Sequence, residues 1–194
     1  MLARLGRAAS QRGFYLAGGT ALALRLGHRR SIDFDWFCNS PLDDVLRLAR
    51  TLQDAAPLKV ERTERGTLHA SVFKVRVSFM EYRYPLLRPT TAWAAQGVRL
   101  ASLEDIACMK LSAVAQRGSR KDFVDLFALG RHVPLARALR SFVRKYGTKD
   151  VGHVLYGLSY FDDAEREPMP RMLEPWPWPD IKLEIQRRVR ALTA

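Results

Sequence analysis

Apolar positions follow two rhythms along this chain, and the rhythm changes near the middle. Leu2, Leu5 and Ala9 mark one face of a short helix. Phe14-Tyr15-Leu16-Ala17 is a compact apolar run of strand length that ends on Gly18-Gly19. Thr20 to Leu26 is rich in helix formers and closes at Gly27. Ile32 to Phe37 alternates with period two, as a strand does. Pro41 and Asp43 then open a helix whose apolar positions are Leu42, Val45, Leu46, Ala49 and Leu52, with Pro57 beyond its end. Residues 59–65, 69–73 and 74–82 alternate again, and Gly66 supplies a turn.

The second half predicts helices. Ser102-Leu-Glu-Asp105 has the form of a capping box, opening a helix to about Gln116. Gly118 breaks it, and Ser119-Arg-Lys-Asp122 has the form of a second box. Pro134 starts a third helix that stops at Gly147, and residues 148–161 form a fourth. Pro168 to Pro179 holds five prolines and two tryptophans, so it reads as an extended strap, with Asp180 capping a final basic helix. The expected class is α+β, a mixed sheet with flanking helices followed by a C-terminal helical bundle. The boundary falls near Arg88–Gly97, giving a core at 1–90 and a helical region at 91–194 packed with it as one compact unit.

Composition adds one departure from the ordinary. Apolar content of 47% and charged content of 27% exclude a disordered chain, a collagen-like fibre and a disulfide scaffold. Against 20 acids stand 32 Lys and Arg, a net charge of +12, which favours a polyanionic partner. Arginine outnumbers lysine 25 to 7 and is spread along the chain, so base composition of the genome is a second source of that bias. Cys38 and Cys108 sit apart in apolar contexts and read as reduced structural thiols. The four histidines lack metal-ligand spacing. No apolar run is long enough for a signal sequence or a membrane span, so the expected location is cytoplasmic.

The segment that carries chemistry is Phe14–Phe37: a strand, a Gly-Gly turn, a short helix, then a strand bearing Asp33 and Asp35. Alternation puts those two carboxylates on one face. Two ionised carboxylates side by side repel unless a cation lies between them. Mg²⁺ or Mn²⁺ suits hard oxygen ligands and leaves positions open for phosphate. Gly18 and Gly19 allow close backbone approach to a phosphate at a helix N-terminus, and Thr20 adds a hydroxyl. Together these predict a site for a nucleoside triphosphate and a metal. Trp176 and Trp178 are expected to clamp the strap in place rather than to stack on bases.

Gly18-Gly19, thirteen residues, then Asp33-Phe-Asp35 resembles the signature of the DNA polymerase β-like nucleotidyltransferases. Lys110, Arg117, Lys121-Asp122 and Asp125 resemble the later motifs of AbiEii-type nucleotidyltransferases, toxins of abortive-infection toxin–antitoxin systems. The resemblance spans residues 12 to 130 in motif order. It implies transfer of a nucleoside monophosphate from an NTP to a hydroxyl, with RNA, the tRNA 3′ end, as acceptor and a cognate antitoxin as partner. It implies catalytic roles for Asp33, Asp35, Lys110 and Asp125, metal binding by Asp33 and Asp35, and nucleotide binding by Gly18, Gly19, Thr20, Lys110 and Arg117. Asp125 would orient Lys110 or Arg117, or assist the incoming hydroxyl.

One position departs from the superfamily pattern. The third carboxylate expected on a later strand reads Ser78, and the nearest acid, Glu81, has the opposite parity. Two carboxylates then suffice, or Glu81 or Asp125 substitutes, or metal binding is weak. Two alternatives therefore stay open: a transferase acting on a small-molecule or protein acceptor, and a weak or inactive relative acting as a binding module.

Overall fold

The computed structural model describes residues 2–192. Helix α1 (Leu2–Ser10) leads into strand β1 (Tyr15–Ala17), helix α2 (Gly18–Leu26), strand β2 (Phe34–Cys38) and helix α3 (Val45–Gln53). Three longer strands follow, β3 (Leu58–Glu64), β4 (Thr67–Val72) and β5 (Val75–Glu81), then two short ones, β6 (Thr91–Trp93) and β7 (Val98–Leu100). They form a seven-stranded sheet in the order β3-β4-β5-β2-β1-β7-β6. β2 runs parallel to β5 and β1 parallel to β7, while the remaining neighbours are antiparallel. The sheet is therefore mixed, as the α+β reading requires.

Alternation assigns the two faces. In β4, Leu68, Ala70 and Val72 are buried while Thr67, His69 and Ser71 are half-buried. Trp36 and Phe79 are fully buried on the apolar face and stack with ring centroids 6.0 Å apart. Helix α3 covers part of that face with Val45, Leu48, Ala49 and Leu52, each worth about 1–3 kcal/mol if fully buried. Its first turn is capped by Asp44, whose carboxylate accepts from the Arg47 N–H at 2.7 Å.

The second half is helical. Helix α4 (Leu103–Arg117) is followed by α5 (Arg120–Leu129), α6 (Leu135–Tyr146), α7 (Gly152–Ser159), the short α8 (Asp162–Glu165) and α9 (Trp178–Arg190). Helix α4 packs against α5, α6 and α7. Gly157 lets α7 approach closely: a Cβ there would lie 3.0 Å from the Ala115 Cα and the Val114 carbonyl oxygen. The acids of the first predicted capping box reach α6, and the second box is used differently. Glu104 binds Ser141, Arg137 and Arg144 of α6, and Asp105 binds Lys145. The Ser119 hydroxyl donates to the Asp122 carboxylate instead of accepting a helix N–H. The strap packs in cis: the Arg30 N–H donates to the Arg171 carbonyl and the Leu173 N–H to the His28 carbonyl, at 2.8 and 2.9 Å. Trp178 is buried and meets Phe123 and Phe161 edge-on, with Arg120 over its ring.

The compact units divide differently from 1–90 and 91–194. One comprises the amino end to Ala21 together with Ile32–Ser102, and the other comprises Leu22–Ser31 with everything from Leu103 onward. Strands β6 and β7 pull residues 91–100 into the first unit, because β7 hydrogen-bonds beside β1. Residues 22–31 join the helical unit because the strap pairs with His28 and Arg30. Among the described residues no helix is long and apolar enough to cross a membrane.

Candidate active site

In the sheet-bearing unit, β1, the Gly-Gly turn and β2 bring Gly18 and Asp35 together. Ala17 is the register partner of Asp35. Gly18 has φ +68°, and a Cβ on it would lie 3.0 Å from Asp35 Oδ2. Both facts call for glycine: the left-handed backbone disfavours a side chain, and the carboxylate fills the space one would take. From Gly18 the chain enters α2, whose first N–H groups have no partner within the helix, so a cluster of donors lies beside the acids. The Thr20 hydroxyl, expected among the phosphate ligands, donates to the Asp33 carbonyl oxygen, fastening the helix start to the start of β2.

Asp33 is met by a residue the sequence did not single out. Arg76 of β5 places Nε 3.1 Å from Asp33 Oδ1 and Nη2 2.7 Å from Oδ2, a two-point fork. The contact raises the Arg76 pKa, through the hydrogen bond first and the Asp33 charge second. The arginine side chain is 72% exposed and the aspartate 35%, so this pair lies open to solvent.

Ser78 is the register partner of Asp35, so it occupies the neighbouring-strand position where the third carboxylate was expected. His69 is in turn the register partner of Ser78, and its Nδ1 lies 3.2 Å from the Ser78 hydroxyl. Asp35, Ser78 and His69 thus form one row across β2, β5 and β4 on the polar face. Glu81 does not substitute for the missing acid. It pairs with Cys38 at the other end of β2, accepts from the Leu42 N–H at 2.8 Å and binds Arg83.

The helical unit gathers the later motif residues into a buried ion cluster. Asp125 is fully buried and its Oδ1 accepts from His28 Nε2 and Arg29 Nε, both at 2.7 Å. Its Oδ2 receives Arg29 Nη2 at 2.8 Å and the Lys110 ammonium at 2.6 Å. Because an ionised carboxylate only accepts, His28 carries its proton on Nε2. Lys110 also binds Asp122 at 2.8 Å, and Arg117 and Ser119 complete the shell of Asp122. Burial alone would raise both carboxyl pKa values. The Lys110 charge and the surrounding donors outweigh it, holding Asp122 at about 2 and Asp125 well below the usual carboxylate range. For Lys110 burial works downward, and the two aspartates still raise its pKa. Of the options left open for Asp125, it touches Lys110, while Arg117 binds Asp122. His28 and Arg29, which the motif spacing does not mark, are buried members of this cluster.

No group of three or more His, Cys, Asp or Glu able to hold a metal occurs among the described residues. The two-carboxylate set still fits a magnesium-type ion, which binds through one or two carboxylates and takes its other ligands from water and substrate phosphates. With no side chain on Gly18, the start of α2 lies directly against Asp35, which sets its backbone N–H groups beside that acid.

The sequence matches the family described as "Nucleotidyl transferase AbiEii toxin, Type IV TA system" over residues 1–90 and 74–187. The chain belongs to the AbiEii family. It is 39% identical to an uncharacterized protein of Aquifex aeolicus over 181 residues, 91% of this chain and 86% of that protein. Its fold is similar to that of MenT4, a nucleotidyltransferase toxin of Mycobacterium tuberculosis, with a TM-score of 0.63 at 18% identity over 98% of this chain and 81% of MenT4. It is also similar to ANT(2″)-Ia, solved in complex with adenylyl-2″-tobramycin, with a TM-score of 0.55 at 14% identity over 74% and 94%. At such identities these structures speak for the fold alone. As an AbiEii member the chain is a nucleotidyltransferase, with an NTP as substrate and an antitoxin as the partner its family implies.

Proposed function

We propose that this chain is a metal-dependent toxin that transfers a nucleoside monophosphate to the 3′ hydroxyl of RNA, with the tRNA acceptor end as target. The observation that carries the reading is the packing of Gly18 against Asp35 on β1–β2, with Asp33 just before β2 held by Thr20 and Arg76. Asp33 and Asp35 would hold Mg²⁺ or Mn²⁺, which when bound supplies charge neutralisation for the triphosphate. Gly18, Gly19 and the start of α2 give the phosphates backbone N–H groups. Thr20 keeps those donors and the first acid in a fixed relation. Arg76 screens Asp33 and is placed to yield it or to share it with phosphate. Lys110, Arg117 and Asp125 enter this reading through their motif resemblance, and the basic surplus supports a phosphate-backbone partner in the cytoplasm.

The test is label transfer. Purified protein is incubated with Mg²⁺ or Mn²⁺, each labelled NTP and total tRNA, and the RNA is resolved on a gel. Labelled RNA with the wild type and loss of label with Asp33→Ala are expected. No transfer under any condition, or undiminished transfer by Asp33→Ala, would overturn the reading. ANT(2″)-Ia, with its adenylylated tobramycin, supports a second reading in which the acceptor is a small molecule. An RNA acceptor makes binding fall steeply with salt, whereas a small acceptor does not.

A further inference from the structure

The turn between β4 and β5 is built from the wrong residues for its shape. Val72 and Val75 are register partners, so the loop has two residues, Phe73 and Lys74. Both have positive φ, +50° and +66°, the conformation of a type I′ turn. Such turns prefer Asn-Gly, and a bulky residue at positive φ is a strained outlier. Phe73 is also 70% exposed, so burial of its ring does not offset that strain. A lone exposed aromatic is ordinary. A strained and exposed one beside a reacting centre is a functional signal.

The position of the turn supplies the second observation. Three residues beyond Phe73, Arg76 forks onto Asp33, which ties the tip to the acid pair. Arg76 and Lys59 are both register partners of Ser71, one on each side, so Lys59, Ser71 and Arg76 share the polar face. Lys59, Lys74 and Arg76 are exposed. Ile32, just before Asp33, is 73% exposed. An aromatic ring with cations around it, next to carboxylates proposed to hold a metal, is the chemistry that grips a single nucleic-acid strand: bases stack on the ring and phosphates meet the cations.

We infer that Phe73 is a base-stacking platform for the single-stranded 3′ end of the acceptor RNA, with Lys59, Lys74 and Arg76 holding its phosphates. This rests on the RNA-acceptor reading above and names how that acceptor is held. Stacking on one aromatic contributes about 1–3 kcal/mol per base, so its loss weakens binding by about 5- to 150-fold.

The test is fluorescence anisotropy of the full chain with a short 5′-fluorescein-labelled single-stranded RNA bearing a free 3′ hydroxyl. Phe73→Ala and Phe73→Gly should each weaken binding by that factor, and Phe73→Trp should keep wild-type affinity. Glycine suits positive φ, so Phe73→Gly should melt no lower than the wild type, which separates a ligand contact from a folding role. Affinity within twofold of wild type for both the alanine and glycine variants would overturn the inference, as would failure of the wild type to bind the RNA. Binding that depends on Phe73 without label transfer would sink the proposed reaction and leave the platform standing. Transfer with binding indifferent to Phe73 would do the reverse.

Discussion

Asp125 sits where a single uncharged substitution should do the most damage to the helical unit. Asp125→Asn keeps the shape of the side chain but removes its charge. Lys110 then loses an anionic partner at 2.6 Å, and Arg29 and His28 are left with one neutral amide oxygen in place of two carboxylate oxygens. Asp122, the remaining acid, still holds Lys110 at 2.8 Å. Arg29, nearly fully buried, keeps the Arg30 carbonyl at 3.0 Å and the more distant Asp122 charge, but no carboxylate in direct contact. Removing one partner of a buried ion pair costs about 3–5 kcal/mol, because the desolvated opposite charge stays behind. With an m-value of about 2 kcal/mol per molar urea, the midpoint should fall by roughly 1.5–2.5 M.

The assay is urea unfolding followed by far-ultraviolet circular dichroism; if the two units unfold separately, only the helical transition should move. Lys110→Met and the double variant close a thermodynamic cycle, in which a coupling of about 1–3 kcal/mol is expected between groups this close. The pH dependence has a fixed sign. Both aspartates have depressed folded-state pKa values, so their contribution is present above the unfolded value of about 3.9 and fades as pH falls through the folded one. For Asp122 that window runs from about pH 5 down to about 2, and for Asp125 it extends further into acid. The gap between wild type and Asp125→Asn should therefore persist at about pH 3, where ordinary carboxylates are already protonated. A loss below about 1 kcal/mol at neutral pH, or a gap that closes by about pH 4, would refute the ion-cluster account.

Two other substitutions test the sheet-bearing unit. Gly18→Ala places a Cβ 3.0 Å from Asp35 Oδ2 at φ +68°, so it should lower stability by about 1–2 kcal/mol in thermal melts and abolish label transfer. Ser78→Asp adds a carboxylate beside Asp35 in register, and should tighten Mn²⁺ binding measured by calorimetry; unchanged affinity would show that this row is not where the metal sits.

Local signals carried most of the elements. Gly18-Gly19 marks the turn because φ +68° requires it, and alternation marks β4 and β5 because one face of each is buried. Strands β6 and β7 escaped notice for a physical reason. At three residues each they are too short for a period to show, and β7 is held by a non-local parallel pairing with β1. Arg76 escaped for a similar reason: its partner Asp33 is 43 residues away and only the register of β2 against β5 joins them. Asp122 is ambiguous in sequence because its spacing from Ser119 fits a cap equally well. Its Lys110 and Arg117 contacts depend on how α4 and α5 pack, which no local pattern encodes.

The chain holds its carboxylates in two regimes, and the difference sorts them by what they can do. Asp122 and Asp125 are fully buried, saturated by cations and depressed in pKa, so a ligand could reach them only by breaking a cluster worth several kcal/mol. Asp33 has one charged side-chain partner in view, Arg76, whose side chain is 72% exposed. Exposed pairs of that kind contribute about 0–1 kcal/mol. A metal or a phosphate can take over either half of such a pair at little expense. Resemblance alone gives Asp33, Asp35 and Asp125 site roles without distinguishing them. Solvation separates them: Asp33 sits in an exposed, exchangeable pair, whereas Asp122 and Asp125 belong to fixed architecture.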